Sequence, residues 1–267
     1  MLNTDIPKII HYCWFGKNKK PKLVLDCIAS WKLFFPDFQL IEWDEETYLS
    51  DHPFYLEAMQ KKLWAFASDF ARLEILYKNG GVYLDTDMLV TKPFDHLLTN
   101  NVNVGAESID FVNAAIVSSS KNQAFFMDCL ECYDKLSLST EESDLMKITI
   151  PRIITNVLFN KYIDRQEFNS IIDENGIRIF PPDFFYPLPY ESRLELNNYR
   201  RFLTENTFGV HLWGASWKKH TALYFFEHKR FIKGISTLVE EIIKRDTRVN
   251  KSYIKKFFKI LFVKEPI

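Results

Sequence analysis

The sequence predicts an α/β protein in which helices flank a sheet that begins with parallel strands. A strand, a helix and a second strand can be recognised within the first 43 residues of the chain. A longer amphipathic helix follows and runs directly into Gly80-Gly81 and another short strand. The chain has 267 residues, of which 47% are hydrophobic, so one large domain can bury a substantial core.

The first predicted unit is a strand, a helix and a strand. The apolar run at residues 8–15 follows Pro7 and closes at Gly16, which is typical of a buried strand. Apolar residues then recur at helical spacing over 23–34, until Pro36. Residues 38–43 form the second predicted strand, and such a unit normally places its two strands parallel in one sheet.

The next predicted elements lead to a pair of aspartates. A helix over 63–78 carries an apolar stripe and ends at the two glycines. A short strand at 82–84 then delivers Asp85 and Asp87. Further strands are predicted at 102–105, 114–117 and 208–214, and the chain becomes more helical after about residue 120.

We predict one domain over residues 1–240, followed by a basic amphipathic helix over 241–267. Such a helix can lie on an anionic membrane, although a solvated terminal helix that packs by its aromatic face fits the pattern equally well. No secretory leader is recognisable, and the apolar runs fall short of the ~20 residues that span a bilayer. We therefore expect a cytoplasmic protein with peripheral contact at the inner face of the membrane.

Charge and cysteines exclude some classes of function. The formal net charge of −1 gives no support for nucleic-acid binding. Four cysteines make a poor disulfide framework for a chain of this length. Cys129 and Cys132 form a C-x-x-C without a second pair, in an apolar helical stretch, which favours core thiols over a zinc or redox site.

Asp85 and Asp87 are the strongest candidates for chemistry. In a strand, residues two apart point to the same face, so the two carboxylates would converge. Converging carboxylates repel each other, and their hard oxygen atoms suit Mg²⁺ or Mn²⁺, which can stabilise a departing diphosphate. Asp-x-Asp is a common pattern, and two solvated turn carboxylates are the alternative.

Asp69 and Arg72 lie three residues apart and therefore share one face of the predicted helix. Asp69 could accept hydrogen bonds from sugar hydroxyls, and Arg72 could contact a sugar or a phosphate. The alternative is an ordinary helix salt bridge.

Four segments in this order resemble the signature of the DXD sugar transferases of glycosyltransferase family 32. That group includes bacterial capsule and lipopolysaccharide enzymes and fungal mannosyltransferases, and the large glucosylating toxins are similar at a greater distance. The resemblance covers residues 6 to about 220. The matching segments are IPKIIHYCWFG at 6–16, ASDFAR at 67–72, GGVYLDTD at 80–87 and HLWGASW at 211–217.

The resemblance implies a GT-A fold, with a Rossmann-like mixed sheet flanked by helices and a helical C-terminal part. It also implies a retaining hexosyltransferase that uses Mn²⁺ or Mg²⁺. The donor would be a nucleotide sugar, with UDP as the expected nucleotide, and the acceptor a glycan or lipid-linked glycan. Synthesis of capsular polysaccharide or lipopolysaccharide is the expected setting.

The resemblance also assigns roles to individual residues. A first group would bind the donor: Trp14 on the nucleotide base, Asp69 and Arg72 on the sugar, Asp85 on the ribose or sugar, and Ser216, Trp217 and Lys218 over the diphosphate. Asp87 would be the principal metal ligand and His211 a late one, and Asn113 would face the donor sugar. Asp85, Asp87, Arg72 and Asn113 are thus the expected catalytic set.

Two other classes remain open at this stage. Asp-x-Asp after an apolar strand also begins the haloacid-dehalogenase phosphatase motif, although Leu89 stands where that motif usually has Thr or Val. A non-catalytic protein that binds a nucleotide sugar or a glycan is the third class. Glu107 and Asp110 are near the site in sequence and could face an acceptor, whereas His11 is expected to be a satisfied strand histidine.

Overall fold

The computed structural model describes residues 6–138, 142–164, 167–214, 222–227, 231–243, 249, 253–255 and 257–258. The chain divides into two compact units, Met1–Gly214 and Ala215–Ile267. Ser216, Trp217, Lys218 and most of the predicted helix at 241–267 lie outside the described residues. Across the described parts of the chain, every helix is too short or too polar to cross a bilayer.

The described residues form nine strands in two sheets. The larger sheet has seven strands in the order β2-β1-β3-β6-β5-β8-β7, and β4 pairs with β9 in a separate two-stranded sheet. Neighbours β1/β2, β1/β3 and β5/β8 are parallel, and the other pairs are antiparallel. The strands are β1 Ile9–Cys13, β2 Gln39–Trp43, β3 Gly81–Leu84, β4 Met88–Val90, β5 Val102–Ser108, β6 Phe111–Ser119, β7 Ile172–Glu174, β8 Ile177–Phe180 and β9 Gly209–His211.

Helices connect and cover these strands. Three 3₁₀ segments, Asp95–Leu97, Met146–Ile148 and Tyr190–Phe202, accompany the α-helices. The α-helices are α1 Lys22–Phe34, α2 Pro53–Gln60, α3 Trp64–Asn79, α4 Ala124–Tyr133, α5 Glu142–Leu145, α6 Ile150–Lys161, α7 Pro182–Phe185, α8 Ala222–Glu227 and α9 Phe231–Ile243.

The predicted α/β architecture with a mixed sheet flanked by helices is confirmed. The first strand–helix–strand unit forms as predicted, with β1 and β2 parallel. The chain becomes more helical after about residue 120, as expected, but strands β7 and β8 at 172–180, which were not predicted, extend the sheet. Strands of three and four residues are too short for the hydrophobic period to reveal.

Two hydrophobic cores lie on the two faces of the large sheet. One contains Phe70 of α3, Phe126 of α4 and Ile154 of α6. The other contains Trp31 of α1 and Phe185 of α7. Each core gives its helices an apolar face to bury, which is the arrangement that a layered α/β domain requires.

The Gly80-Gly81 turn leads from α3 into β3. Both glycines have positive φ, +64° and +91°, a region that other residues rarely adopt. The Gly80 carbonyl accepts a hydrogen bond from His11 Nε2 at 3.0 Å, and His11 Nδ1 accepts one from the Trp43 indole at 3.1 Å. Burial lowers the pKa of His11 to about 4, so the ring is neutral, and the prediction of a satisfied strand histidine is confirmed.

Helix α1 anchors the short strand β4. The indole Nε1 of Trp31 donates to the carbonyl of Met88 at 2.7 Å, and the backbone N–H of Val90 donates to Ser30 Oγ at 3.0 Å. These bonds replace backbone partners that a two-stranded sheet cannot supply at its outer edge. Strand β4 begins one residue after Asp87, so α1 indirectly fixes the aspartate turn.

The second unit contains α8 and α9. The N–H of Ala222 donates to Glu241 Oε1 at 2.9 Å. Gly234 lets α9 approach α8 closely, because a Cβ at this position would lie 2.6 Å from the Phe226 ring. Both elements are helical, in agreement with the expected helical C-terminal part.

Trp31→Phe should lower the free energy of unfolding by about 1–3 kcal/mol. The variant leaves the Met88 carbonyl without its indole donor and opens a gap in a completely buried position. Leu33→Ala on the same helix is the matched control, because Leu33 is 71% exposed, and it should change stability by less than about 0.5 kcal/mol. Equal denaturation midpoints for the two variants would contradict this anchoring role.

Candidate active site

Asp85 and Asp87 lie in a tight turn between β3 and β4. Strand β3 ends at Leu84, and the N–H of Met88 donates to the Asp85 carbonyl at 2.9 Å, which closes a four-residue turn. The expectation that both aspartates extend from one strand is therefore wrong. The turn, rather than the strand period, brings their carboxylates together.

Arg72 of α3 holds the Asp85 carboxylate. Its guanidinium nitrogens lie 3.0 Å from both oxygens of Asp85, and Nη1 also donates to the Ala114 carbonyl at 2.8 Å. Nε donates to the Ser68 carbonyl at 3.3 Å, and the guanidinium lies 4.6 Å from the Tyr83 ring centroid. All three nitrogens are thus engaged within the protein, and a direct contact of Arg72 with a sugar or phosphate stays a prediction.

Asp69 completes this buried cluster. Its Oδ1 accepts from Arg72 Nη2 at 3.0 Å, and its Oδ2 accepts from the N–H of Ile150 at 3.4 Å. Burial raises the pKa of Asp69 to about 6, although the charge of Arg72 opposes the shift. With side chains only 12% and 5% exposed, Asp69 and Arg72 are not an ordinary surface salt bridge.

Asp87 faces a different set of partners. Its Oδ1 lies 3.2 Å from His211 Nε2, and its Oδ2 accepts from the N–H of Gly214 at 2.7 Å. The pKa of Asp87 is lowered. Burial acts to raise this pKa, but the charge and hydrogen bond of His211 and the hydrogen bond from the Gly214 N–H have the larger combined effect. The pKa of Asp85, by contrast, is raised by burial and by the charge of Asp87, against the effect of Arg72. The two carboxylates of one motif therefore have opposite electrostatic environments.

Pairing of β4 with β9 brings His211 to this turn. Met88 is opposite His211 in the ladder, and the N–H of Leu212 donates to the Asp87 carbonyl at 2.9 Å. Gly214 fits closely against the aspartate, since a Cβ there would lie 3.2 Å from Asp87 Oδ2. The predicted association of Asp87 with the late histidine is thus present in the structure.

The donor set at this turn fits a divalent cation. Asp85, Asp87 and His211 each offer one ligand atom, and these atoms all lie within 4.8 Å of one another. Nδ1 of His211 is buried and has no hydrogen-bond partner among the described residues. Two carboxylates and one imidazole are ligands for a hard or borderline divalent metal and not for a soft one.

Asn113 lies on β6, beside the aspartate turn. Its Nδ2 donates to Glu107 Oε2 at 2.6 Å, and its Oδ1 accepts from the N–H of Ala115 at 2.9 Å. The Asp85 N–H in turn donates to the Ala115 carbonyl at 2.9 Å. The backbone of Ala115 therefore joins Asn113 to the aspartate turn, and the role of Asn113 in facing the donor sugar stays a prediction.

Trp14 follows directly after β1 and is half-buried. Its Nε1 donates to the Asn18 carbonyl at 2.7 Å, and the Lys20 ammonium lies 5.5 Å from its ring centroid. A partly open indole with a cation beside it remains a suitable surface for stacking a base.

Sequence reasoning missed two site residues that the structure places here. The hydroxyl of Tyr83 lies 3.3 Å from Asp85 Oδ1. The hydroxyl of Tyr186 donates to the Asn113 carbonyl at 3.2 Å, and its ring centroid lies 5.6 Å from that of His211. Tyr83 is within the matched segment 80–87, but no local signal distinguishes Tyr186 within its aromatic loop.

Solved structures with similar chain paths are glycosyltransferases. One is described as PaToxG glycosyltransferase, at 20% identity and a TM-score of 0.46, covering 58% of this chain and 69% of that one. Another is the galactosyltransferase LgtC in complex with donor and acceptor sugar analogs, at 13% identity and a TM-score of 0.37, covering 93% of this chain and 99% of that one. Likenesses at these scores carry no argument about the site.

Curated relatives give more information. Lactosylceramide 4-alpha-galactosyltransferase of Mus musculus is 26% identical over 190 residues, covering 67% of this chain and 47% of the relative. Alpha-1,4-N-acetylglucosaminyltransferase of Homo sapiens is 26% identical over 218 residues, covering 77% of this chain and 58% of the relative. The chain thus spans about half the length of the curated relatives that it matches.

The family model described as "Glycosyltransferase sugar-binding region containing DXD motif" matches residues 21–108. This region includes α3 with Asp69 and Arg72, and the turn with Asp85 and Asp87. Residues 21–108 of this chain are thus similar to the sugar-binding region of glycosyltransferases that contain the DXD motif.

Proposed function

We propose that this protein transfers a hexose from a nucleotide sugar, with UDP as the nucleotide, to a hydroxyl of a glycan or glycolipid. The observation that carries the proposal is the pair of unlike carboxylates at the motif, with Asp85 held by Arg72 and Asp87 free to face His211. A phosphatase of this type attacks phosphorus with a carboxylate oxygen of the first Asp, and the Arg72 contacts to both Asp85 oxygens would weaken such a nucleophile, which disfavours the phosphatase alternative. One relative is named for transfer to lactosylceramide, a glycolipid. This name supports an acceptor that already carries sugar, such as a glycan or a glycolipid.

Asp87 and His211 would hold Mn²⁺ or Mg²⁺, with Asp85 close enough to contribute. The cation would neutralise charge on the diphosphate as the sugar–phosphate bond breaks. Asp85 can accept a hydrogen bond from a ribose or sugar hydroxyl, because Arg72 leaves part of each carboxylate oxygen free. Trp14 would stack on the base, and Ser216, Trp217 and Lys218 would close over the diphosphate.

We further propose that the anomeric configuration of the sugar is retained. The acceptor hydroxyl would approach from the face of the departing diphosphate, whose oxygens can take its proton. This part of the proposal rests on the family resemblance. Proton NMR of the first-formed product identifies its anomer, and an inverted product would overturn retention without affecting the site assignment.

Peripheral membrane contact through the second unit is part of the proposal. Helix α9 exposes six large apolar side chains within about 120° of its circumference, given about 100° per residue. They are Phe231, Ile232, Ile235, Val239, Ile242 and Ile243. Residues 228–259 contain ten Lys or Arg against three Asp or Glu, so charge favours an anionic lipid surface as the occupant of this face. A glycolipid acceptor would be reached from such a surface.

Asp87→Asn should lower sugar transfer more than about 100-fold, because the site loses the charge that holds the cation. The measurement is transfer and donor hydrolysis across a panel of UDP- and GDP-sugars with Mn²⁺. Asp51→Asn, at an exposed position just before α2, makes the same carboxylate-to-amide change outside the site, is the control, and should keep the wild-type rate. Full transfer by the Asp87 variant would remove this aspartate from the mechanism.

Stabilisation by Mn²⁺ should decrease as the pH falls. The pKa of His211 is raised. Burial acts to lower this pKa, but the neighbouring Asp87 carboxylate has the larger effect. A protonated imidazole cannot bind metal, so below this raised pKa the apparent Mn²⁺ affinity should fall by about tenfold per pH unit. Melting temperatures with and without Mn²⁺ between pH 8 and pH 6 provide the measurement. His211→Gln should bind Mn²⁺ more weakly and lose most of this pH dependence, and an unchanged slope would exclude His211 as a ligand.

Paired substitutions Ile235→Glu and Ile242→Glu should weaken binding of the full chain to vesicles about tenfold or more, since charges replace the inserted side chains. Vesicles of phosphatidylcholine with phosphatidylglycerol should bind the wild type, and vesicles of phosphatidylcholine alone should not. Leu33→Glu, at an exposed position of the first unit, is the control. Co-sedimentation unaffected by the pair, or self-association without vesicles, would exclude the membrane as the occupant of this face.

A further inference from the structure

Strand β5 contains an irregularity beside the active site. Ala106 pairs with Val112 and Ser108 pairs with Phe111, so two steps along β5 correspond to one step along β6. Glu107 is the extra residue and has no partner across the ladder. A bulge of this kind redirects a side chain, and bulges are frequent next to active sites.

The redirected carboxylate of Glu107 contacts Asn113. Its Oε2 accepts a hydrogen bond of 2.6 Å from Asn113 Nδ2, while Asn113 Oδ1 accepts from the N–H of Ala115. A carboxylate can only accept and a backbone N–H can only donate, so these two partners fix which end of the amide carries oxygen. A flipped Asn113 would lose both hydrogen bonds.

This pair lies within the site already described. The next carbonyl after Asn113, that of Ala114, accepts from Arg72, and the hydroxyl of Tyr186 donates to the Asn113 carbonyl. The pKa of Glu107 is raised by burial and is lowered in part by the Asn113 hydrogen bond and the charge of His211. Glu107 is half-buried beside these groups.

Each partner keeps one unused group. Asn113 Nδ2 has two hydrogens and uses one on Glu107, and Glu107 has a second carboxylate oxygen without a hydrogen bond among the described residues. One donor beside one acceptor matches a sugar hydroxyl, which accepts one hydrogen bond and donates another. In this arrangement Asn113 supplies the donor and Glu107 supplies the acceptor for such a hydroxyl.

We propose that Glu107 is a positioning residue that orients the Asn113 carboxamide, and that the pair recognises one hydroxyl of the donor sugar. The recognition of a sugar hydroxyl rests on the proposed function, whereas the orientation of Asn113 by Glu107 does not. Glu107 would thereby contribute to the choice among sugars that differ in the presence or configuration of that hydroxyl.

Two substitutions separate the two roles. Glu107→Ala removes the partner of Asn113 and the free oxygen together. Glu107→Gln keeps an oxygen for Asn113 but replaces the second oxygen with an amide that donates. Glu131→Gln, which changes an exposed carboxylate on α4, is the control for charge and folding.

The orientation role is measured by NMR on the side-chain amide of Asn113 in ¹⁵N-labelled protein. Amide hydrogen exchange should be at least about tenfold faster in Glu107→Ala, and close to wild type in Glu107→Gln and Glu131→Gln. Wild-type exchange in Glu107→Ala, with its fold intact by circular dichroism, would overturn the positioning role whether or not the protein transfers sugar.

The recognition role is measured by calorimetric binding of UDP and of the UDP-sugar that the donor panel identifies. Both Glu107 variants should bind UDP as the wild type does and the UDP-sugar about tenfold more weakly, as expected for a lost charged hydrogen bond. Unchanged UDP-sugar affinity in both variants would overturn recognition while leaving the proposed function intact. If the wild type binds no nucleotide sugar, the proposed function and the recognition role both fail, and the exchange measurement alone decides the orientation role.

Discussion

The buried guanidinium of Arg72 is the interaction on which the site depends. It joins Asp69 on its own helix, Asp85 at the end of β3 and the Ala114 carbonyl of β6. A buried charge is costly unless its partners are well placed, and removing one partner leaves the other uncompensated. Helix α3, strand β3 and strand β6 are therefore held in one relative position, and the aspartate turn is attached to that frame.

This frame places Asp85 and Asp87 beside different charged partners. Arg72 neutralises Asp85, whereas among the described residues Asp87 is paired with a titratable histidine and a backbone N–H. The pKa of Asp85 is raised and that of Asp87 is lowered, which reflects this difference. A single spacing in the sequence thus yields one carboxylate beside a fixed positive charge and another beside an imidazole.

Long-range pairing supplies the remaining part of the site. Asp87 and His211 are 124 residues apart, and the β4–β9 ladder brings them to 3.2 Å. Helix α1 secures that ladder through the fully buried Trp31, whose indole donates to the Met88 carbonyl of β4. The contact between Asp87 and His211 therefore depends on the packing of this short strand.

The sequence by itself determined the elements with a clear period and clear boundaries. Strands β1 and β2, helices α1 and α3, and the Gly80-Gly81 turn follow from local patterns, because apolar spacing and glycine conformation act within a few residues. The family resemblance supplied Asp87 and His211 as a pair.

Only the tertiary structure decided how these residues meet. The two aspartates converge through a turn, and Arg72 donates its hydrogen bonds to groups within the protein. A bulge in β5 directs Glu107 to Asn113. Each of these depends on a partner that is distant along the chain or on one extra residue in a ladder. Local periodicity contains no information about either, because it describes which face a residue occupies and not what lies opposite that face.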